Sequence, residues 1–210
     1  MQLLGRLEIK SKEKINEFLN KEHIGRIASI DKSGFPEVIP MNFVFIDGSI
    51  YMHSHTKGEK LDNIRRNSRV GFEVDRELEF LPSYFEDPKD ASLADTLYVS
   101  VVIKGNATLV SDRKEKVLAL NGLMKKYQQE GGYEPLQTDM SVIDEVEVIK
   151  VIPDSIKGKY KIGQHLNASE RKALAEKILK RNSPTAKETV KIMGFEIGDQ
   201  GLIMKDEPVW

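Results

Sequence analysis

The chain has 210 residues, of which 40% are hydrophobic and 31% charged, and its formal net charge is −1. These values indicate a soluble globular protein, and the near-neutral charge argues against a surface that holds nucleic acid or anionic membrane through an excess of basic residues. Because the sequence contains no cysteine, disulfides, thiolate catalysis and cysteine-ligated metals are excluded. No apolar run approaches the roughly 20 residues of a membrane helix, and the charged N-terminus lacks the apolar stretch of a signal peptide, so we expect a cytoplasmic protein.

Hydrophobic spacing predicts one short helix and three strands in the first part of the chain. Residues 11–21 carry apolar side chains at helical spacing after a serine that can cap the helix. Glycine-containing turns then separate three strands, at residues 24–30, 36–46 and 49–54. Pro40 interrupts the second of them. Because proline cannot donate a ladder hydrogen bond, it indicates a sheet edge, a bulge or a point where the strand leaves its neighbour.

The middle of the chain continues with strands, helices and one irregular stretch. The predicted elements are a helix at 57–67, strands at 69–74 and 97–110, a helix from 112 to about 129, and a last strand at 142–152. Residues 76–95 are acidic, contain prolines and lack periodicity, so they are interpreted as a long excursion, that is, an irregular loop between two strands. About six strands, with hairpins between the early ones, predict a mainly β fold with α-helices, namely an antiparallel sheet or barrel with peripheral helices.

Residues 156–210 differ in character from the rest of the chain. Two short helices are predicted there, beginning at Ser169 and at Ser183, and the tail after them has no clear pattern. We expect a domain at 1–155 and a helical C-terminal extension that packs on the barrel or on a dimer partner. The two helices superficially resemble a DNA-binding helix-turn-helix, but the second carries Glu188 between its lysines, so packing is favoured over binding to nucleic acid.

The segment His53-Ser54-His55-Thr56-Lys57-Gly58-Glu59-Lys60 carries the most specific chemistry. A predicted strand ends there and a helix begins, so unsatisfied amides and the positive end of the helix dipole favour an anion. Ser54 and Thr56 can add hydroxyl donors, Gly58 lets the backbone approach an anion closely, and Lys60 supplies a full charge. The alternative is a solvated polar connection between a strand and a helix.

Five stretches carry a joint pattern: Gly34–Phe43, Asp47–Ser54, Gly58–Asp62, Ile64–Val74 and Leu97–Ala107. Together they resemble the pyridoxamine 5′-phosphate oxidase-like FMN-binding split barrels, and within these the branch of the 5-nitroimidazole reductases (Nim proteins). The resemblance covers about residues 10–155 and leaves the C-terminal extension outside. It implies a six-stranded antiparallel split β-barrel.

The resemblance also implies FMN as the cofactor. The isoalloxazine ring would lie against the second strand, and the phosphate would be held by the segment that begins at His53. The cofactor-binding residues so implied are Val38, Ile39, Pro40, Met41, Asn42, His53, Ser54, Thr56, Gly58, Lys60 and Ser100. In Nim proteins the histidine that corresponds to His53 lies beside the cofactor, so it is the candidate catalytic residue, with simple donation to the phosphate as the alternative. The family forms homodimers with flavin at the subunit interface, so a second chain is expected to complete each site.

The implied function is that of a flavoprotein oxidoreductase. Electrons or hydride would pass to a small electron-poor acceptor, with NAD(P)H as a candidate donor. Glu59 occupies a position that is basic in pyridoxamine 5′-phosphate oxidase itself. The C-terminal arginine and histidine with which that enzyme binds its substrate have no match here, so oxidation of pyridoxamine 5′-phosphate is not expected. A non-enzymatic FMN or haem carrier or sensor stays open, with His53 or His55 as axial ligand. The same two histidines could form a metal pair, but no third ligand is indicated, so no metal site is predicted.

Overall fold

The computed structural model describes residues 5–199 and 201–207, and the chain divides into two compact units built from separated stretches. The barrel unit contains Lys12–Val74 and Val101–Lys157, and the C-terminal unit contains Met1–Ser11, Asp75–Ser100 and Gly158–Trp210. The sequence-based division into domains 1–155 and 156–210 stays a prediction.

The described residues form five α-helices and ten strands. The helices are α1 (Lys12–Lys21), α2 (Glu59–Arg66), α3 (Arg113–Tyr127), α4 (Ala168–Arg181) and α5 (Ala186–Ile192). The strands are β1 (Glu8–Ile9), β2 (Ile24–Ile30), β3 (Pro36–Asn42), β4 (Val44–Ile46), β5 (Ser49–His55), β6 (Arg69–Leu81), β7 (Asp95–Leu109), β8 (Val146–Lys161), β9 (Phe195–Gly198) and β10 (Gly201–Met204). Each helix and strand predicted from the sequence is present, and no helix among the described residues is long and apolar enough to cross a membrane.

The barrel unit is built on a curled antiparallel sheet with the strand order β3-β2-β6-β7-β8-β5-β4. β3 and β4 lie at opposite ends of this order, yet only Phe43 separates them in the sequence. A sheet whose two outermost strands are joined through one residue must curl until those strands approach each other, which gives the predicted split barrel. Counted as one bent strand, β3 and β4 bring the barrel to the predicted six strands. β1, which pairs with β8, and the separate β9–β10 hairpin are additional strands that the sequence did not indicate.

The bend at Phe43 is held by the C-terminal end of α3. Phe43 is fully buried and belongs to neither strand, so its backbone groups need other partners. The Tyr127 hydroxyl accepts from the Phe43 amide at 2.8 Å and reaches the carbonyls of Phe43, at 3.1 Å, and of His23. Beside it, the Lys126 ammonium lies 3.7 Å from the Phe43 ring centroid and donates to the Leu19 carbonyl at 2.9 Å. Burial lowers the pKa of Lys126 to about 8, since it disfavours the charged form.

Pro40 lies in an edge strand, which is one of the three positions that the sequence left open for it. β3 is the outermost strand and pairs only with β2 along the described sheet order, with Pro40 opposite Arg26. A missing amide donor is tolerated there because no second strand requires it.

The predicted excursion at residues 76–95 is wrong in its first part, because β6 continues to Leu81. The difference is explained by Glu79, a charged residue whose type normally indicates an exposed position. Its carboxylate is buried within the strand. Arg181 donates to it at 3.0 Å, Ser183 at 2.5 Å and Thr185 at 2.8 Å. These partners lie more than a hundred residues further along the chain, so no local pattern could reveal them.

The C-terminal unit contains both predicted helices of the extension. Asn167, rather than the predicted Ser169, caps α4, and it forms a capping box with Glu170. α5 is tied to β6 by Thr189, whose hydroxyl donates to the Leu78 carbonyl at 2.9 Å. The tail that had no clear sequence pattern folds as the β9–β10 hairpin.

Candidate functional site

The start of α2 has the local geometry that the predicted anion site requires. Gly58 precedes the helix with φ 148° and ψ 154°, a conformation that is essentially restricted to glycine. No side chain caps the helix, and the space where a Gly58 side chain would point is empty to 4 Å. The amides of the first turn therefore have no side-chain acceptor, and the backbone is accessible to an anion.

Lys60 connects this helix start to the edge strand β3. Its ammonium lies 3.5 Å from the Met41 sulfur, in a partly buried contact. The segment predicted to hold a phosphate and the strand predicted to contact a flavin ring are therefore neighbours in the fold, although eighteen residues separate Met41 from Lys60 in the sequence.

Asn63 fixes α2 against the sheet and was not singled out from the sequence. It is buried, and its amide donates to Glu37 at 2.8 Å and to Ser29 at 3.2 Å. Arg66 in turn donates to the Asn63 side-chain oxygen at 2.7 Å. The available signal was a polar residue directly beside Ile64 on the inward face of a short helix. Asn63 thus positions the helix start relative to β3.

The five predicted residues of β3 do not share one face. Val38, Pro40 and Asn42 are exposed, whereas Ile39 and Met41 are half-buried, as expected for strict alternation along a strand. Of the two groups, the half-buried one is on the side that contacts Lys60. A single planar ligand could therefore contact side chains from only one of these groups, together with the backbone of the strand.

The end of β5 presents two histidines on one face and a serine on the other. His53 and His55 are exposed, and Ser54 is buried. His55 accepts a hydrogen bond from the Lys57 amide at its Nδ1 atom, at 3.2 Å, and so stabilises the turn into α2. Thr56 lies half-buried in that turn. Over the described ranges, no group of three or more histidine or acidic residues could hold a metal ion.

A polar network lies earlier in β5, at Tyr51. The Tyr51 hydroxyl donates to Glu115 at 2.8 Å, and Lys150 donates to the same carboxylate oxygen at 2.6 Å. The hydrogen bond from Lys150 lowers the pKa of Glu115, burial raises the pKa of Tyr51, and the hydrogen bond to Glu115 raises the pKa of Lys150. The sequence did not indicate this network, because Tyr51 and Lys150 become neighbours only through the β5–β8 register.

Ser100 lies half-buried in β7 and belongs to the C-terminal unit. The other predicted cofactor-binding residues all belong to the barrel unit. Within that unit, the structure brings Met41 together with Lys60 and places Gly58 two residues before it at the start of α2.

Comparison with known proteins assigns the fold to a family. The profile of the pyridoxamine 5′-phosphate oxidase family matches residues 11–160. A candidate 5-nitroimidazole antibiotic resistance protein from Bacteroides thetaiotaomicron is 23% identical, with a TM-score of 0.62 over 73% of this chain and 86% of that one. A flavocytochrome from Azotobacter vinelandii is 16% identical, with a TM-score of 0.64 over 77% and 72% of the two chains. A FAD and heme binding protein from Mycobacterium smegmatis is 15% identical, with a TM-score of 0.61 over 78% of each. No curated protein sequence matches the chain. The chain belongs to the pyridoxamine 5′-phosphate oxidase family.

Proposed function

We propose that the protein binds FMN and acts as an oxidoreductase that passes electrons or hydride to a small electron-poor acceptor, with NAD(P)H as donor. The contact between Lys60 and Met41 is the observation that carries this proposal, because it joins the proposed anion site to the strand expected to contact the ring. Family membership supports it, as do structural neighbours described as a flavocytochrome and as a FAD and heme binding protein.

The residues at the start of α2 fit a flavin phosphate. The uncapped amides and the conformation of Gly58 offer backbone donors, and Lys60 adds a positive charge. Ser54 and Thr56 supply hydroxyl donors at the end of β5. A phosphate dianion matches this donor set better than a neutral group would, because the amides and the ammonium all donate.

The ring would lie against β3, in contact with the side chains of Ile39 and Met41 and with the backbone of Val38, Pro40 and Asn42, and Ser100 is proposed as a further polar contact. When bound, the flavin supplies the redox chemistry, and the protein holds it and sets the surroundings of the acceptor. His53 is the proposed catalytic residue, since its exposed imidazole can hold a proton at either ring nitrogen and deliver it to a reduced acceptor.

A homodimer with FMN at the subunit interface is part of the proposal. The outward face of the β2–β3 hairpin carries exposed apolar side chains: Ile24, Ile30, Val38 at 56% exposure and, in the turn, Phe35 at 70%. Exposed apolar side chains gathered on one hairpin favour a protein partner. We expect a dimer by sedimentation equilibrium, and we expect Ile30→Lys to produce monomers that retain less FMN. A wild-type monomer that binds FMN fully would contradict this part.

Absorption spectroscopy of the purified protein tests the cofactor directly. We expect the two visible bands of an oxidised flavin, bleaching on reduction, and recovery of those bands when FMN is added to stripped protein. Lys60→Gln should weaken FMN binding by about tenfold to a hundredfold, since a hydrogen bond to a charged group contributes roughly 1.5–3 kcal/mol. Lys32→Gln, at an exposed position in the β2–β3 turn, is the matched control. A colourless protein that takes up no added FMN would refute the proposal.

A non-enzymatic haem carrier or sensor is the second candidate. The observation that favours it is the exposed His53 imidazole, which makes no side-chain hydrogen bond with any described residue and could serve as an axial ligand. A Soret band that His53→Ala abolishes, in a protein without flavin bands, would select this function over the first.

A further inference from the structure

The C-terminal unit contains a cleft of about 340 Å³ that the proposed flavin chemistry does not use. Five residues line it: Tyr84, Phe85, Lys177, Lys180 and Arg181. We call it the α4 cleft, because its three cations come from the last turns of α4. Two aromatic rings and three cations therefore surround one small volume.

Two of the cations are held in place. The Lys177 ammonium donates to the Phe85 carbonyl and pairs with Glu86 at 3.0 Å. Arg181 pairs with the buried Glu79 at 3.0 Å. Because these positions are spaced by four residues, both side chains lie on one face of α4.

Lys180 differs from these two, because it has no salt-bridge or hydrogen-bond partner among the residues described. It lies one turn after Lys177 on the same face of the helix and is exposed. The carboxylates of Glu86 and Glu79 balance the charges of Lys177 and Arg181, so the charge of Lys180 gives the cleft a net positive charge.

Tyr84 supplies the aromatic surface. The residue is 59% exposed, and its ring packs against the Phe85 ring in an edge-to-face arrangement, with the centroids 5.5 Å apart and the planes at 78°. An edge-on neighbour leaves a face of the tyrosine ring open for stacking. Cations in the last turn also complement the helix dipole, but that effect gives no reason for an exposed tyrosine beside them.

We propose that the α4 cleft binds a small aromatic anion of the nucleoside monophosphate class. The base would stack on Tyr84, and the phosphate would be neutralised by Lys180 with support from Lys177 and Arg181. The cleft volume lies at the lower end of the roughly 300–1,000 Å³ that small-molecule sites occupy, which suits a mononucleotide better than a dinucleotide. The site belongs to the C-terminal unit alone, so the proposal does not depend on flavin binding.

Isothermal titration of the full-length protein with AMP tests the proposal, with and without saturating FMN. We expect one AMP per chain, unaffected by FMN, and binding at least about tenfold weaker for adenosine, which lacks the phosphate, and for ribose 5-phosphate, which lacks the ring. Tyr84→Ala and Lys180→Gln should each weaken AMP binding, by about tenfold and about threefold or more. Lys187→Gln, at an exposed position on α5, is the charge-matched control and should bind AMP as the wild type does.

Four results would overturn the proposal. The first is the absence of AMP binding, and the second is AMP binding that FMN displaces, which would assign the nucleotide to the barrel unit. The third is equal affinity for AMP in the wild type, Tyr84→Ala and Lys180→Gln. Tight binding of oligonucleotides with none of AMP would likewise replace the mononucleotide with a nucleic acid. Because Tyr84 and Lys180 are exposed, their substitution leaves the core intact, and thermal unfolding of each variant verifies this.

Discussion

Replacing Tyr127 with phenylalanine removes one oxygen atom from the point where the barrel closes. That oxygen accepts from the amide of Phe43, a fully buried residue between β3 and β4. Without it the amide has no partner among the described residues, and an unsatisfied buried donor costs roughly 1–3 kcal/mol. We therefore expect Tyr127→Phe to lower the free energy of unfolding by about 2 kcal/mol, which for a chain of this size corresponds to about 4–8 °C in melting temperature.

Urea unfolding followed by circular dichroism measures this loss, and amide hydrogen exchange locates it. The Phe43 amide should exchange faster in Tyr127→Phe, because its protection depends on the lost hydroxyl. Tyr133→Phe is the control, since the Tyr133 hydroxyl makes no hydrogen bond with the described residues, and it should change stability by less than about 0.5 kcal/mol. A loss for Tyr127→Phe as small as that of the control, with Phe43 exchange unchanged, would refute the role assigned to the hydroxyl.

Three further predictions concern stability. Burial lowers the pKa of Lys126 to about 8 from its usual 10.5, so the unfolded chain binds more protons than the folded one between these pH values. The free energy of unfolding should therefore rise by about 1–2 kcal/mol from pH 8 to pH 9.5. Urea titrations of Lys126→Met should show no such rise. Gly58→Ala should lower the free energy of unfolding by about 1–3 kcal/mol, because the backbone conformation at this position is strained for any residue with a side chain. The same substitution should weaken FMN binding. Gly71→Ala in β6, the control, should change neither stability nor FMN binding. Glu79→Ala should lower the free energy of unfolding by about 3 kcal/mol, because Arg181, Ser183 and Thr185 lose their buried acceptor. An effect no larger than that of Glu77→Ala, at an exposed position two residues earlier, would contradict this.

Local patterns predicted much of the barrel. Alternation of apolar residues and glycine turns located β2 to β5, and Pro40 restricted its strand to an edge, a bulge or a point of departure from the neighbouring strand, because each of these signals acts within a few residues. The start of α2 was recognisable for the same reason: a glycine and a lysine at the junction of a strand and a helix have a direct physical meaning.

Features that depend on distant parts of the chain escaped prediction. The break at Phe43 requires Tyr127, which lies 84 residues later, and the continuation of β6 requires partners for Glu79 from the C-terminal segment. For the candidate site, the sequence indicated which residues to consider but not which face of β3 each would occupy relative to Lys60. That information comes from the contact between α2 and the sheet, which Asn63 maintains.

The buried carboxylate of Glu79 has a consequence for how the chain must be made. During synthesis β6 leaves the ribosome long before Ser183 and Thr185, which follow Glu79 by 104 and 106 residues. Until they arrive, this part of β6 cannot enter an apolar environment without an uncompensated charge, so the C-terminal unit is expected to form only after residues 183–185 have been synthesised. A nascent or truncated chain that ends before residue 183 would keep this half of the strand hydrated and open to proteases, so the protection of β6 from proteolysis depends on the segment that begins α5.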